Sequence, residues 1–258
     1  LSGEGADELF GGYNIYLEPL SFSRMWMKFF PKFLINSIFK PIAGIKFNFK
    51  GKNYLKRYFS KLEDWYIGNA SIFKNDEMKK IWKGSSCKKF DLANYYGKVA
   101  SLSDSTKMQF IDINTWLVGD ILAKADKMTM ANSLELRVPF LDVKIAEFAS
   151  KLPDRLKFRR GATKYLLRES VRGVIPESTR NRKKLGFPIP LRRWLTRERN
   201  DIYDQIISNS YIKKNMDTVE IEKLIKDHID GWSDNSRKIY LLLMLAIWHE
   251  IFFESKEI

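Results

Sequence analysis

Cysteine and histidine are scarce in this sequence, which has Cys87, His228 and His249 in 258 residues. A single cysteine excludes an intrachain disulfide and any zinc site that needs two or more cysteines. The two histidines lie in different segments without the i, i+4 spacing of a helical metal pair, so we predict structural roles for both. The cysteine usage fits a reducing compartment, and we predict a cytoplasmic protein.

Long apolar runs are missing as well. The most apolar run, residues 239–248, has about half of the ~20 residues that a membrane-spanning helix needs. We therefore predict a buried helix here and no membrane association. The overall composition is 45% hydrophobic and 14% aromatic, which is enough to build a substantial core in one large or two small domains.

Acidic residues are absent from residues 19–62, which carry ten positive charges and hold much of the net charge of +14. A basic, aromatic-rich surface of this kind can bind nucleic acid through phosphate contacts and base stacking. It can equally be an amphipathic packing layer with solvated lysines, and we favour this second interpretation. The apolar residues that approximate one helical face in this segment are Phe29, Phe30, Phe33, Leu34, Ile38 and Phe39.

Glycines and carboxylates are concentrated in residues 1–13, which contain four glycines and three acidic side chains. Glycine suits sharp bends and places where a ligand approaches bare N–H groups. Residues 6–10 can begin a helix, with Asp7 and Glu8 near its positive end. A phosphate beside these carboxylates requires a bridging divalent cation, which indicates Mg²⁺ with a nucleotide or pyrophosphate. From the residues alone, an acidic helix start after a glycine turn explains the pattern equally well.

Residues 112–142 form a second informative block. Apolar spacing predicts helices up to Leu122, and the chain must leave helical geometry near Pro139 because proline disfavours it in the preceding residue. Ion pairs on a helix surface, three or four residues apart, would explain the charge pattern as readily as an active site would. The charges that alternate in sign are Asp120, Lys124, Asp126, Lys127, Glu135 and Arg137.

A third block contains a predicted helix over residues 163–169 and a basic loop over residues 180–194, stiffened by Pro188 and Pro190. A lysine on such a loop can neutralise charge that develops on phosphorus during substitution. Several basic residues close together are usually a solvated patch, and the residues alone favour that interpretation.

The three blocks resemble, in the same order, the synthetase domain of the glutamine-hydrolysing asparagine synthetases. Residues 2–13 resemble the second nucleotide-site motif of that family, and residues 117–142 are similar to its pattern nearly position by position. The spacing of Arg182, Lys184 and Phe187 matches the family's catalytic-lysine loop. The resemblance implies an α/β domain of the ATP-pyrophosphatase type (adenine nucleotide alpha hydrolase-like) whose strands mostly precede residue 1. We therefore expect this portion to be mainly α, with at most a strand end near Leu1.

The resemblance also implies a carbon–nitrogen ligase that uses ATP and Mg²⁺. In that family the side-chain carboxylate of aspartate attacks the α-phosphorus of ATP, and ammonia derived from glutamine converts the acyl-adenylate to asparagine, with AMP and pyrophosphate as the other products. By motif position, Lys184 would stabilise the transition state and Asp7 would hold Mg-pyrophosphate. Glu4 would guide or deprotonate ammonia, while Ser2 and Gly3 would present backbone groups to ATP. The residues implied at the substrate cleft are Asp120, Lys124, Glu135 and Arg137; Asp126, Lys127 and Asp142 fit structural pairs at least as well.

Two parts of the family pattern are not found in this sequence: the Ser-Gly-Gly-x-Asp-Ser pyrophosphate loop and the glutaminase cysteine. Both would lie upstream of Leu1, so we expect residues 1–258 to be the C-terminal part of an asparagine synthetase domain, inactive alone, with a glutaminase domain upstream in the same polypeptide. A homodimer is one possible oligomeric state. Two alternatives also stay open: an amide ligase acting on a sugar acid or peptide, and a non-enzymatic nucleic-acid-binding protein that uses the basic segment.

Overall fold

The computed structural model describes residues 1–24, 52–84, 91–184, 186, 189–197 and 199–254. The aromatic face predicted between residues 29 and 39, together with Cys87, Phe187 and Pro188, lies outside the described residues. Within the described ranges the chain is mainly helical, with three isolated β-bridges and no sheet. This confirms the expected helical character, and residues 1–3 form no strand.

The helices begin and end as follows. In chain order they are α1 (Ala6–Phe10), α2 (Glu18–Arg24), α3 (Lys52–Tyr58), α4 (Leu62–Trp65), α5 (Asn75–Ile81), α6 (Ala93–Lys98), α7 (Asp104–Asp112), α8 (Ala123–Met130), α9 (Val143–Ser150), α10 (Asp154–Lys157), α11 (Tyr165–Ser170), α12 (Glu177–Arg180), α13 (Leu191–Arg197), α14 (Arg199–Ser208), α15 (Ser210–Asn215), α16 (Thr218–Ile229) and α17 (Ser236–Phe253). Two 3₁₀ turns (Asn14–Leu17 and Pro139–Leu141) and a π-helical segment (Ile113–Leu122) complete the elements.

The chain divides into two compact units. Unit 1 consists of residues 1–70 and 91–184, and unit 2 consists of residues 71–90 and 185–258. Of the helices above, α5 and α13 to α17 belong to unit 2, and the others belong to unit 1.

Unit 1 has two apolar clusters. The smaller cluster holds α1, because Leu9 and Phe10 are buried against Ala149 of α9. Phe140 packs against this cluster as well, with its ring 6.1 Å from that of Phe10 in an edge-on arrangement. The larger cluster consists of the buried residues Tyr16, Leu62, Tyr66, Leu92, Tyr96, Met108, Ile111 and Phe158.

A long continuous helix crosses unit 1, formed by α7, the π-helical segment and α8. It begins where the Ser103 hydroxyl accepts a hydrogen bond from the Thr106 N–H. The helical prediction up to Leu122 is confirmed, although the π geometry of residues 113–122 was not predicted. π-Helical turns are rare and occur frequently at functional sites.

Unit 2 is built around α17. Ile239, Leu242 and Ala246 recur on one face of this helix and are buried in the apolar cluster of the unit. The predicted buried helix is confirmed for this face only, because four apolar residues of the same run are exposed: Tyr240, Leu241, Met244 and Trp248. No helix in the described ranges is both long and apolar enough to cross a bilayer. Because α13 begins at Leu191, the predicted basic loop is shorter than residues 180–194.

Both histidines lie in packed surroundings within unit 2, as predicted for structural residues. His228 is buried, and its Nδ1 accepts a hydrogen bond from the Asn235 N–H at 3.3 Å. His249 stacks on Phe253, with ring centroids 5.4 Å apart.

Candidate functional site

Two of the four glycines near the N-terminus shape the turns that begin and end α1. Gly5 has φ +84° and Gly11 has φ +71°, a region that L side chains rarely adopt. A Cβ on Gly5 would lie 2.2 Å from Leu141 Cδ2, and one on Gly11 would lie 2.4 Å from Phe158 Cζ. These positions therefore require glycine for conformation and for close packing, and the turn at Gly5 begins the helix that carries Asp7 in its first turn.

The other two glycines have different surroundings. A Cβ on Gly12 would lie 1.7 Å from Asp7 Oδ1 and 2.4 Å from Lys164 Cε, so only glycine leaves room for those side chains. A Cβ on Gly3 would meet no atom within 4 Å. Gly3 thus faces open space, as expected of a backbone position that a ligand approaches.

Asp7 lies between two lysines that are distant from it in the sequence. Lys184 Nζ donates a hydrogen bond to Asp7 Oδ2 at 2.5 Å, and Lys164 Nζ lies 2.9 Å from Asp7 Oδ1. The Asp7 side chain is 15% exposed, while those of Lys164 and Lys184 are 21% and 36% exposed. The structure therefore brings together Asp7 and Lys184, the two residues to which the resemblance assigns the phosphate chemistry. We call Asp7, Lys164 and Lys184 the aspartate–lysine triad.

The two lysines determine the charge state of Asp7. Burial by itself would raise the pKa of this carboxyl, but the hydrogen bond from Lys184 and the contact with Lys164 outweigh that effect and hold the pKa below its usual value. Asp7 is therefore ionised at neutral pH. The triad has a net charge of +1, which favours an anionic ligand close by.

Sequence reasoning missed Lys164. This residue precedes α11 with φ +52°, and its N–H donates to the Gly11 carbonyl at 3.3 Å, which brings the side chain to α1. A lysine at the start of a helix is unfavourable for the helix dipole, so its position was the one available signal of another role. Its left-handed backbone and its contact with Asp7 depend on tertiary packing and leave no pattern in the sequence.

Tyr13 connects the neighbouring carboxylate to the triad. Its hydroxyl donates to Glu8 Oε1 at 2.8 Å and accepts from Trp116 Nε1 at 3.3 Å, while Lys184 Nζ lies 5.4 Å from the centre of its ring. Burial raises the pKa of Glu8, although the Tyr13 hydrogen bond acts in the opposite direction. Glu8 therefore belongs to the packed interior, whereas Asp7 belongs to the accessible site.

Buried polar groups form hydrogen bonds beside α1. Gln109 Nε2 donates to the Glu8 carbonyl at 2.5 Å, and the buried Lys157 donates to Gln109 Oε1 at 3.1 Å. Asp112 is fully buried and accepts hydrogen bonds from Tyr16 and Tyr66, both at 2.5 Å. The Gln109 bonds satisfy carbonyl groups at the end of this five-residue helix and fix its position, whereas the Asp112 bonds connect residues of the larger apolar cluster.

The remaining residues of the N-terminal motif lie beside the segment that carries Arg137. The Ser2 N–H donates to the Arg137 carbonyl at 2.8 Å, so this N–H is already paired. Arg137 also forms an exposed ion pair with Glu135 at 2.7 Å. Glu4 is half-buried and makes no hydrogen bond or ion pair with the described residues. The structure thus places the Glu135–Arg137 segment next to the motif.

Asp120 and Lys124 are exposed at the junction of the π-helical segment and α8, and neither contacts the triad. The ion pairs considered for this helix surface are not present: in the described part of the chain, Asp120, Lys124, Asp126 and Lys127 form none. Asp142 instead caps α9 by accepting from the Lys144 N–H at 2.9 Å. The alternating charges therefore do not stabilise this helix through pairs on its own surface.

A metal site made from protein ligands alone is not present in the described ranges, where no group of three or more His, Cys, Asp or Glu side chains comes together. Mg²⁺ commonly uses one or two carboxylates and completes its coordination with phosphate oxygens and water. Asp7 fits such a site as a single carboxylate ligand, provided that a phosphate supplies the other oxygens.

Comparisons with known proteins identify the family of this chain. The family model for asparagine synthase matches residues 1–250. The chain is 47% identical over 262 residues to asparagine synthetase [glutamine-hydrolyzing] 1 of Bacillus subtilis, covering 99% of this chain and 41% of that protein. A Mycobacterium bovis protein is 41% identical over 258 residues, covering 98% of this chain and 39% of that protein.

More distant similarity reaches asparagine synthetase [glutamine-hydrolyzing] 3 of Bacillus subtilis, which is 25% identical over 190 residues and matches 73% of this chain and 26% of that protein. The chain thus spans about two fifths of the length of the first two relatives. No solved structure matches it.

Proposed function

Because the chain belongs to the asparagine synthase family, we propose that it forms part of an ATP-dependent ligase that makes asparagine. In this proposal the side-chain carboxylate of aspartate attacks the α-phosphorus of ATP, pyrophosphate leaves, and ammonia derived from glutamine attacks the activated carbonyl. The observation that carries the proposal is the contact of Lys184 with Asp7 across 177 residues of sequence. Two motifs that the reaction would use together share one accessible site.

Lys184 supplies positive charge where negative charge develops on the α-phosphoryl group, and Lys164 adds a second cation on the opposite oxygen of Asp7. A lysine ammonium has three donors, so each lysine can contact phosphate oxygens while keeping its bond to the carboxylate. Because the contacts exist before substrate binds, little reorganisation is needed during the reaction. This is the positioning and electrostatic contribution that phosphoryl chemistry requires.

Asp7 is the residue that would hold Mg²⁺ together with the pyrophosphate. The metal, when bound, neutralises charge on the departing phosphates. Glu4 is half-buried and free of described partners, which suits a group that guides or deprotonates ammonia. Gly3 would present its backbone to the nucleotide. Ser2 would do so through its side chain, because its N–H already donates to the Arg137 carbonyl.

The proposal extends to the protein as a whole. The parent domain is an α/β domain of the ATP-pyrophosphatase type, and a glutaminase domain in the same polypeptide supplies ammonia in the cytoplasm. Asp120, Lys124, Glu135 and Arg137 line the approach of aspartate; the Glu135–Arg137 pair beside Ser2 supports this for two of them.

The test uses Lys184→Ala in the full-length protein. We expect release of pyrophosphate from ATP to fall by about 10²–10³ because one contact to the developing charge is lost. Lys144→Ala is the matched control, because Lys144 is exposed in the same unit and its side chain forms no hydrogen bond or ion pair with the described residues. Circular dichroism spectra of both variants should match the wild type.

Pyrophosphate release at the wild-type rate by the Lys184→Ala protein would contradict the assignment. The acceptor is tested separately by offering aspartate, a sugar acid and a peptide carboxylate together with ATP and ammonia. Faster turnover of an acceptor other than aspartate would replace asparagine synthesis with another amide-forming reaction.

A further inference from the structure

A cavity of about 490 Å³ lies within unit 2, and it shares no residue with the aspartate–lysine triad of unit 1. Its volume lies within the range of small-ligand pockets. No acidic side chain lines it. The side chains that do so come from the start of α13 and the end of α16: Pro190, Arg192, Arg193, Thr196, His228 and Ile229. The proposed synthetase reaction uses none of these six residues.

Arg192 and Arg193 give the cavity its charge. Both are exposed residues of α13, and neither side chain forms an ion pair with the described residues. The carboxylate of Asp234 does not line the cavity, and it already accepts a hydrogen bond from the Ser236 N–H at 3.1 Å. A guanidinium group makes strong, charge-assisted hydrogen bonds to both oxygens of a carboxylate. The two arginines therefore favour an anionic ligand.

His228 contributes a hydrogen-bond donor that lacks an acceptor. Only 2% of this residue is exposed, and its Nδ1 accepts from the Asn235 N–H at 3.3 Å. A neutral imidazole that accepts at Nδ1 carries its proton on Nε2, and this buried Nε2 has no hydrogen-bond partner in the described part of the chain. Buried donors without an acceptor are costly and rare in folded proteins. Because His228 lines the cavity, a ligand oxygen bound there can supply the missing acceptor.

The other lining side chains limit the kind of anion that fits. Pro190 and Ile229 are apolar and suit a hydrocarbon group. The Thr196 hydroxyl already donates to the Arg192 carbonyl at 2.8 Å, so towards a ligand it can only accept. An ammonium group in this cavity would lie close to two guanidinium groups and would find no carboxylate, which is unfavourable. Amino acids and amines are therefore poor ligands for this site.

We propose that this cavity binds the anion of a small carboxylic acid that has an apolar body and no amino group. Arg192 and Arg193 bind the carboxylate oxygens, and His228 Nε2–H donates to one of them. The hydrocarbon part lies against Pro190 and Ile229. This site is independent of the proposed function, because it uses residues of unit 2 and its occupancy can be measured without turnover.

The first test compares three probes that share one carbon skeleton: isocaproate, its neutral amide isocaproamide, and leucine. Their affinities for the full-length protein are measured by ligand-observed NMR. We expect isocaproate to bind about tenfold or more tightly than either of the others, because only isocaproate brings a negative charge without an ammonium group. Equal affinities for the three probes would overturn the proposal, and so would tighter binding of inorganic phosphate than of isocaproate.

The second test removes the charge of the cavity with the double substitution Arg192→Gln and Arg193→Gln. Both positions are exposed, so the variant should fold, and its isocaproate affinity should fall about tenfold or more. The matched control is Lys214→Gln with Arg237→Gln, which removes two exposed charges of the same unit that do not line the cavity. Unchanged affinity in the arginine variant would contradict the proposal, as would an equal loss in the control.

The third test follows the side-chain nitrogens of histidine by NMR in the full-length protein. Addition of isocaproate should shift the Nε2 signal of His228, which is assigned by its loss in His228→Gln, while the signals of His249 stay in place. The shift should disappear in the arginine variant. Binding of isocaproate without any change at His228 would place the ligand elsewhere and overturn the proposal. The two affinity tests remain decisive if His228→Gln does not fold.

Discussion

The two units bury their polar groups for different purposes. In unit 1, the buried Asp112 and Lys157 are hydrogen-bonded across long stretches of sequence, and Lys157 is connected through Gln109 to α1, the helix that carries Asp7. In unit 2, the buried Asn209 caps α15 and donates to the Ala246 carbonyl of α17 at 3.1 Å, so its contacts fix helix ends and positions. Unit 1 therefore uses buried polarity to position a charged site, whereas unit 2 uses it to complete a helical core.

This difference separates stability from activity. Buried charged or polar groups require several partners, so the loss of one partner leaves others unsatisfied. An apolar core depends instead on volume and close packing. Substitutions in unit 1 should therefore affect the site and the fold together unless they are confined to the triad, while those in the core of unit 2 should affect the fold alone.

The largest effect is expected for Asp112→Ala. This substitution removes the acceptor of four hydrogen bonds, which come from the hydroxyls of Tyr16 and Tyr66 and from the backbone N–H and side-chain amide of Asn69. We expect the free energy of unfolding to fall by about 4 kcal/mol, measured by urea denaturation. Asp112→Asn keeps one carbonyl acceptor and should lose about half as much. A loss below about 1 kcal/mol for the alanine variant would show that the network contributes little to unit 1.

Ile221→Ala should be nearly as destabilising but without a specific effect on the site. Ile221 is fully buried in the core of unit 2, and truncating it should lower the free energy of unfolding by about 3 kcal/mol. Ile221→Val, as the conservative control, should lose about 1 kcal/mol. Pyrophosphate affinity, measured where both variants are folded, should remain at the wild-type value. A tenfold weaker affinity would break the proposed separation between the units.

Asp7→Asn should show the opposite pattern to Ile221→Ala, with a large loss of activity and a small loss of stability. The amide keeps the size of the side chain but loses the negative charge that pairs with both lysines. We expect the rate of pyrophosphate release to fall about 10²-fold, with a change in unfolding free energy smaller than that of Asp112→Ala. Glu147→Gln makes the same chemical change at an exposed position of unit 1 and should alter neither quantity. Full activity of the Asp7→Asn protein would remove Asp7 from the site.

The smallest effect concerns pH. Because the pKa of Asp7 is lowered in the folded state, its stabilising contribution is fully present above the ordinary carboxyl pKa of about 4 and is lost as pH falls through the lowered value. Burial raises the pKa of Glu8 and Asp112, so their contribution has the opposite sign and declines as pH rises. The unfolding free energies of wild type and Asp7→Asn should therefore converge in acid. A gap that widens below pH 4 would contradict this sign.

Local patterns predicted the elements whose formation depends on nearby residues. Helix α1 follows a glycine turn with carboxylates in its first turn, and the apolar run of residues 239–248 predicted a buried helix, of which α17 buries one face. The resemblance selected Lys184 over Lys183, and the structure places Lys184 against Asp7; the catalytic role itself stays a prediction. Lys164 was missed because its contact arises from a left-handed backbone conformation and from tertiary packing.

The π-helical geometry of residues 113–122 has a consequence for insertions and deletions. Consecutive residues of an α-helix are rotated by about 100°, so removing one residue from this segment would turn every later side chain of α8 to another side of the axis. A deletion in this segment would therefore redirect Lys124 and Asp126, whereas a substitution at one of its exposed positions would leave their directions unchanged. The number of residues in this stretch is thus what sets the orientation of α8.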